Sequence, residues 1–366
     1  MARQAVSLTD VFRSIAPFRL KLFKAFDHLG GQALAFVLPK QPHRTFNGAA
    51  KKILIIRPGG IGDAVFLLPI LKALKGRGLV MDILCESRNA QVFTSQAHLL
   101  NRIYLYDKGF FGVFANTYDA VIDTEQWHFL SAIAGYFIKT GYRTGFATRV
   151  LRAKLFNGQV DYGENDYELS NFQKLFNSFY DGDKVNDINN CFEVPEPMKE
   201  WAQKQIQGNY VTLFLGGSIA LRRLNEEQVL DLVDHYLKNN FSIAFLGGKD
   251  VEDFAQKMTV RIDSRRIFNY AGRLSLMQSA ALIQQARKFI GPDSGLMHLA
   301  CAVGTPVAAI FGPGNLAKWG PRGSRHKVIT LDVPCAPCTR FGYTLPTCNG
   351  SYHCVRNINI AKMAGL

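Results

Sequence analysis

The sequence predicts an α/β protein of two parallel-sheet halves facing a central cleft, and three observations carry that expectation. Short apolar runs of strand length alternate with helical patterns, which implies parallel strands covered on both faces by helices. The alternation comes in two series, one from Lys51 and one from near Tyr210, with the polar residues 181–200, including Pro195 and Pro197, as the expected linker. At 366 residues the chain also exceeds one ordinary core of about 150 residues. The expected organisation is a basic extension over 1–50, a first domain over 51–195, a second over 196–334 and a cysteine-rich tail over 335–366.

Taken in order, residues 11–26 place Val11, Phe12, Ile15, Phe18, Leu22, Phe23 and Phe26 at three- and four-residue steps, with Arg13, Arg19, Lys21 and Lys24 between them. Such a basic amphipathic pattern suits either a helix lying on an anionic bilayer or one docked on the protein body, and Pro17 kinks both versions. A short apolar strand follows at 52–56, then the turn Pro58-Gly59-Gly60-Ile61-Gly62-Asp63 and a helix over 64–74. Further strands are expected at 81–85, 103–106, 120–123 and 142–146. The second series places strands at 211–215, 242–246, 266–269, 288–290, 307–311 and 328–331. Gly216-Gly217, Gly247-Gly248, Gly291 and Gly312 follow four of these. Glycine just beyond the C-terminal end of a parallel strand is where open α/β sheets hold ligands.

Composition narrows the function classes. The apolar fraction of 48% and charged fraction of 20% are those of a globular protein, and 27 Phe with 13 Tyr exclude disorder as the main state. No apolar stretch reaches the roughly 20 residues of a spanning helix, and no cleavable leader pattern is visible, so a cytosolic-side protein is expected. The net charge is +14, and residues 1–52 hold nine basic residues against only Asp10 and Asp27. A basic chain favours polyanions, yet no nucleic-acid module is recognisable, which leaves an anionic membrane surface or a phosphorylated substrate.

Two turns carry candidate chemistry. Gly59-Gly60-Ile61-Gly62-Asp63 opens a helix behind a strand, where unpaired amides bind anions. No Lys-Ser or Lys-Thr follows as in a Walker loop, and Val65 stands where a dinucleotide fingerprint needs its third glycine. Asp63, in the first turn of that helix, reads either as a general base held ionised by the amides or as a plain cap. In the second turn, Gly291-Pro292-Asp293-Ser294-Gly295-Leu296-Met297-His298, the amides and the Ser294 hydroxyl are suited to cradling a diphosphate, and His298 lies one helical turn along. Taken singly, Asp293 reads as a cap and His298 as a satisfied interface residue.

The strand with Gly59-Gly60-Ile61-Gly62-Asp63, together with Asp293-Ser294-Gly295-x-x-His298 and Pro306-x4-Phe311-Gly312-Pro313, resembles the bacterial ADP-heptose:lipopolysaccharide heptosyltransferases, glycosyltransferase family 9, over roughly Lys51 to Cys354. The resemblance implies a GT-B architecture: two Rossmann-like domains, acceptor on the first and nucleotide-sugar on the second. It implies inverting transfer of a sugar, heptose from ADP-heptose or another nucleotide-sugar, with no metal and no cofactor. Asp63 then deprotonates the acceptor hydroxyl. Ser218 and Arg222 match the family's phosphate-binding hydroxyl and lysine, with arginine keeping the charge in another geometry and Arg223 as its alternate. Glu252 is placed for the ribose hydroxyls or is a solvated acid, and Leu274 falls where the family packs adenine. On the acceptor side stand Gly59, Gly60 and Gly62, with Asp123 and Glu125 meeting the acceptor or capping the next helix. The sequence departs from the family at Pro58-Gly59-Gly60 and at Leu221-Arg222-Arg223-Leu224.

Cys335, Cys338, Cys348 and Cys354 have a spacing that a structural zinc, free thiols or disulfides would each satisfy, none of them catalytic. The expected partner is a phosphorylated glycolipid of lipopolysaccharide type at the inner face of the cytoplasmic membrane, where each Lys or Arg gains about 1 kcal/mol near anionic headgroups. Nucleic acid is not expected, and oligomeric state is not readable. Two other readings stand beside this one: a non-catalytic nucleotide-sugar-binding protein, and an NAD-dependent oxidoreductase with Glu86 as its ribose acid.

Overall fold

A computed structural model describes residues 27–46, 48–109, 111–179, 185–217, 219–340, 343–344 and 353–359. The amphipathic stretch 11–26, Ser218 and Cys348 lie outside them. The first sheet consists of β1 (Lys52–Arg57), β2 (Val80–Cys85), β3 (Arg102–Leu105), β4 (Thr117–Asp123), β5 (Lys139–Phe146) and β6 (Gly158–Val160). Its strands run parallel in the order β3-β2-β1-β4-β5-β6. The second sheet consists of β7 (Tyr210–Phe214), β8 (Ser242–Leu246), β9 (Ile267–Asn269), β10 (Lys288–Pro292), β11 (Val307–Phe311) and β12 (Lys327–Thr330). Its order, β12-β11-β10-β7-β8-β9, is the same topology, again all parallel. Strand order reverses between β1 and β4 and between β7 and β10, and each reversal opens a crevice at the carboxyl edge.

The apolar runs are continuous because both sheet faces are covered. Ile53 and Ile55 face one buried cluster while Leu54 and Ile56 face another. The first of these clusters crosses between the halves: Phe66 and Leu71 from the first share it with Leu276, Met297 and Leu299 from the second. The helix predicted at 64–74 runs over Ile61–Gly76, starting directly at the glycine turn. β6 was not expected, since Gly158-Gln159-Val160 is too short and polar to signal a strand. The linker also proves shorter than expected. Glu196–Gln205 is a helix, with Pro197 in its first turn where a missing N–H costs no hydrogen bond. In the tail, Cys354, Val355 and Ile358 are buried on the second half, and Gln228 Nε2 donates to Val355 O at 2.7 Å and Ile358 O at 3.1 Å.

Behind β4, Asp123 Oδ2 accepts from Arg152 Nη2 at 2.6 Å and from Ser131 Oγ at 2.9 Å, while Oδ1 accepts from Glu125 N at 3.0 Å. Arg152 also donates to the carbonyls of His128, Phe146 and Glu125, and neither charged side chain reaches solvent. Removing one partner of such a pair strands the other charge in a dry site. Arg152→Met is therefore expected to lower stability by about 3–5 kcal/mol, read as a reduced urea midpoint, whereas a loss under about 1 kcal/mol contradicts the buried pair.

Candidate active site

After β1 the chain turns at Gly59, whose φ of 115° only glycine adopts without strain. A Cβ there would stand 3.1 Å from Arg57 Nη2, so the glycine also leaves room for the guanidinium beneath the turn. Arg57 is buried and donates from Nε to Pro58 O at 2.6 Å, from Nη1 to Thr124 O at 2.9 Å and from Nη2 to Glu125 Oε2 at 3.0 Å. Burial works against its charge, but Asp63 and Glu125 outweigh burial and lift its pKa above the ordinary value. Gly60 is the N-cap of the Ile61–Gly76 helix, and Asp63 is the third helical residue. Among the described residues the partly buried Asp63 carboxylate has no hydrogen-bond or ion-pair partner, so it is not acting as a cap. Burial raises its pKa to about 6, and the Arg57 charge limits the rise. Glu168 and Glu125 push in the same direction as burial, and Lys318 pushes against it.

The second turn follows β10. Ser294 is the N-cap of the Gly295–Ala302 helix and accepts from Met297 N at 3.4 Å, so its oxygen is already engaged in capping. Arg222, in the 3₁₀ turn Ala220–Arg222 beyond β7, places Nη1 2.8 Å from Asp293 Oδ2 and donates to Asp293 O at 3.0 Å. The carboxylate contact is an ion pair out of hydrogen-bond alignment. Burial pushes the Asp293 pKa up and Arg222 holds it back. His298 packs its ring 4.8 Å from that of Phe66 and sets Nε2 3.9 Å from Asp293 Oδ1. Burial drives the His298 pKa down to about 3, with Arg222 pushing the same way, so the imidazole is neutral across the working pH range. Six buried side-chain polar atoms of the described residues have no hydrogen-bond partner, and three of them meet here: Arg222 Nε, Asp293 Oδ2 and His298 Nδ1. Buried polar groups are rarely left unpaired, so such a concentration is the kind of surface a ligand would complete.

The two turns touch. A Cβ on Gly62 would stand 2.8 Å from His298 Cδ2, and one on Gly295 would stand 2.8 Å from Ile61 Cβ and 3.2 Å from Gly62 N. The structure thus brings Gly59, Gly60, Gly62, Asp63, Arg222, Asp293, Ser294, Gly295 and His298 to the facing crevices of the two sheets. Glu252 starts the Glu252–Ile262 helix and packs Oε2 3.0 Å from where a Cβ of Gly272 would be, and Leu274 is half-buried against the shared core. Both lie beyond the carboxyl ends of β8 and β9, further along the same edge.

Other expectations need correcting. Asp123 does not face the cleft; it is committed to Arg152, Ser131 and the Glu125 amide. Glu125 is likewise turned inward, with Oε2 on Arg57 and Oε1 accepting the N–H groups of Trp127 and His128. A strand-end carboxylate answers first to the buried cations and open amides beside it, and each of these two has both. Arg223 donates from Nε and Nη2 to Gly217 O and pairs with Asp250 at 2.5 Å, so it braces the turn after β7. Glu86 is the N-cap of the Ser87–Thr94 helix, with its N–H donated to Asn89 Oδ1 and its carboxylate 2.5 Å from Arg88. Among the described residues, which include Cys335, Cys338 and Cys354, no group of three His, Cys, Asp or Glu is placed to hold a metal ion.

Sequence reasoning missed Arg57, Glu168 and Lys318, whose charges act on Asp63, and Tyr162, whose hydroxyl donates to Glu168. Only Arg57 carried a signal, as a cation closing an otherwise apolar strand. Glu168 and Lys318 sit on helices where charge normally reads as a solvated face.

The family model for glycosyltransferase family 9 (heptosyltransferase) matches residues 112–347. Lipopolysaccharide heptosyltransferase 1 of Pseudomonas aeruginosa is 26% identical over 132 residues, which are 36% of this chain and 36% of that protein. The chain therefore spans about a third of the length of this curated relative. Among solved structures, the glycosyl transferase family 9 protein of Veillonella parvula superposes with a TM-score of 0.68 at 17% identity, covering 79% of this chain and 90% of that one. An E. coli heptosyltransferase with ADP superposes at 0.63 with 19% identity, covering 76% and 92%. At these identities the superpositions establish the shared two-sheet fold.

Proposed function

The chain belongs to glycosyltransferase family 9 (heptosyltransferase), and from that premise we propose that it transfers a sugar, heptose from ADP-heptose, to a phosphorylated lipopolysaccharide-type acceptor with inversion and without a metal. The observation that carries the reading is the two buried nitrogens without a hydrogen-bond partner, Arg222 Nε and His298 Nδ1, beside the misaligned Arg222–Asp293 ion pair, with the unengaged Asp63 on the helix that the second turn touches. A nucleotide-sugar supplies what that group lacks: anionic oxygens for Arg222 and for the first amides of the Gly295–Ala302 helix, and hydroxyls for Asp293 and the neutral His298. The acceptor hydroxyl gives its proton to Asp63 as it attacks the anomeric carbon, and the bond to the nucleoside diphosphate breaks on the opposite side. Leaving-group charge then falls on Arg222 and the helix amides. ADP in the superposed E. coli enzyme supports the choice of base.

We place the acceptor at the inner face of the cytoplasmic membrane. Leu29, Phe36, Val37, Phe137 and Val150 are exposed on neighbouring helices. No helix among the described residues is long and apolar enough to cross a membrane.

Nucleotide binding provides the test. In chelator-treated buffer, ADP at 100 times its dissociation constant is expected to stabilise the protein by about 2.7 kcal/mol, seen as a raised Tm, with UDP, GDP, CDP and NAD giving smaller shifts. Arg222→Gln should weaken ADP at least about tenfold, as loss of a charge-assisted bond. A shift with NAD alone would instead favour an oxidoreductase.

A further inference from the structure

The segment that precedes β1 is fastened to the first half yet turns apolar side chains outward. Asp27 is buried, and its Oδ1 accepts the N–H groups of Phe129 at 3.0 Å and Leu130 at 2.7 Å, at the start of the Phe129–Phe137 helix. Its Oδ2 lies 2.8 Å from His128 Nδ1. Gly31 approaches so closely that a Cβ on it would stand 2.9 Å from Phe129 Cβ. In the Gln32–Val37 helix, Ala35 joins Phe129, Ala132, Ile133, Leu155 and Phe156 in one buried cluster. Lys154 Nζ donates to Phe36 O at 2.8 Å, and Gln41 N donates to Lys154 O at 2.8 Å.

The outward face is different. Leu29, Ala33, Phe36 and Val37 recur at the three- and four-residue steps of one helical face, and Leu29, Phe36 and Val37 are each 70% exposed. Val150, 86% exposed, lies one helical turn from Lys154, whose Nζ stands 5.9 Å from the centre of the Phe36 ring. The Val150–Ala153 helix therefore extends the same patch. An exposed apolar patch on a firmly held element marks an interaction surface.

Charge decides what covers it. Residues 28–62 and 126–160, which build this face, contain no Asp or Glu, but they hold Lys40, Arg44, Lys139, Arg149 and Lys154. Lys40 follows Val37 by three residues, Arg149 precedes Val150, and Lys154 touches Phe36. Asp27 and Glu125, the acids just before the two stretches, are both buried and engaged. Apolar side chains among cations match an anionic bilayer, where the first enter the acyl boundary and the second meet headgroup phosphates. A second copy would set cation against cation, and so would the stretch 11–26 with its Arg13, Arg19, Lys21 and Lys24. The patch also borders the cleft. Asp27 grips the loop after β4 that holds Arg57 beneath the Gly59 turn, and Val150 lies just beyond the carboxyl end of β5.

We propose that this patch docks the protein on an anionic lipid bilayer, on the acceptor side, so that a lipid-anchored acceptor is met without leaving the membrane. The role toward the acceptor rests on the transferase reading; the docking does not.

The test floats the full chain with vesicles of phosphatidylcholine, alone or with phosphatidylglycerol added. Binding is expected to be at least about tenfold tighter with phosphatidylglycerol and to weaken with salt. Phe36→Ser combined with Val37→Ser should weaken it at least about tenfold, through loss of two inserted apolar side chains, and Lys40→Gln about fivefold. Phe36→Leu should retain it. These positions are exposed, so Tm should hold, and Val150→Ser on another helix repeats the test should the pair disturb the fold. Absence of binding overturns the proposal. Binding that these variants leave untouched places the membrane contact elsewhere on the chain and overturns it too, as does self-association that the serine variants abolish. If docking behaves as expected but ADP-heptose is not consumed, the transferase reading fails alone. If a detergent-dissolved acceptor is glycosylated but the protein does not float, the docking fails alone.

Discussion

Asp63→Asn is expected to lower kcat at least about 100-fold while leaving the dissociation constant for ADP within about twofold, and to make the folded protein more stable above pH 6. The first effect follows from losing a general base that has no neighbour able to replace it. Arg57, Glu125 and Glu168 are all engaged, and His298 is neutral but buried against Phe66 on the other side of the seam. In the proposed reading ADP is held by Arg222 and the second turn, so its affinity should barely respond.

The stability effect has the opposite sign. Burial holds the Asp63 pKa at about 6, above its ordinary value of 3.8. Between those values the unfolded chain gives up the proton before the folded one does, so stability falls as pH rises from about 4 to 6. Above that window the ionised carboxylate costs the fold on the order of 3 kcal/mol, a cost that asparagine lacks. Wild-type and variant urea midpoints should therefore converge below pH 4 and separate above pH 6, with the variant the higher. In the same window kcat/KM of the wild type should climb tenfold per pH unit and level off above about pH 6. A variant of equal stability at pH 8 would mean that the carboxylate is solvated, and full activity would remove it from the mechanism.

Local signals made Asp63 legible in sequence: an apolar strand, a glycine turn and the first turn of a helix place a carboxylate at the carboxyl edge of a parallel sheet. The same logic failed at Asp123 and Glu125. Each ends the same kind of strand, but its orientation depends on Arg152 or Arg57, tens of residues away, and on the amides of Glu125, Trp127 and His128 in the loop that follows. The twelve-strand framework was readable because apolar runs and glycines repeat in both halves; only β6, with one apolar residue in three, gave no pattern. The Glu168–Lys318 pair escaped for another reason. It exists only when two helices from separate halves are pressed together, and no periodicity within either helix reports that.

The seam itself yields the other large effect. Gly295→Ala is expected to lower transfer about 100-fold while each half remains folded. The added methyl would stand 2.8 Å from Ile61 Cβ and 3.2 Å from Gly62 N. Its neighbours have little freedom to yield, because Ile61 and Gly62 open a helix whose next turns are wholly buried. The helix start that bears the clash is also the one that carries Asp63. Relief must therefore come from the halves separating, or from the second turn sliding along the first by a few tenths of an ångström to an ångström. Overpacking of this kind costs about 1–3 kcal/mol, a modest fall in Tm. The functional loss is greater, because a displacement near 1 Å between base and donor can cost two orders of magnitude in rate. The donor turn is built entirely from the second half, by Arg222, Asp293, Ser294 and His298, so ADP affinity should fall by no more than a few fold. Glycine at 62 faces the reciprocal limit from His298, and Gly62→Ala should reproduce the loss. Small-angle scattering of Gly295→Ala should show a slightly larger radius of gyration, and unchanged transfer with an unchanged radius would mean that the seam is looser than these contacts require.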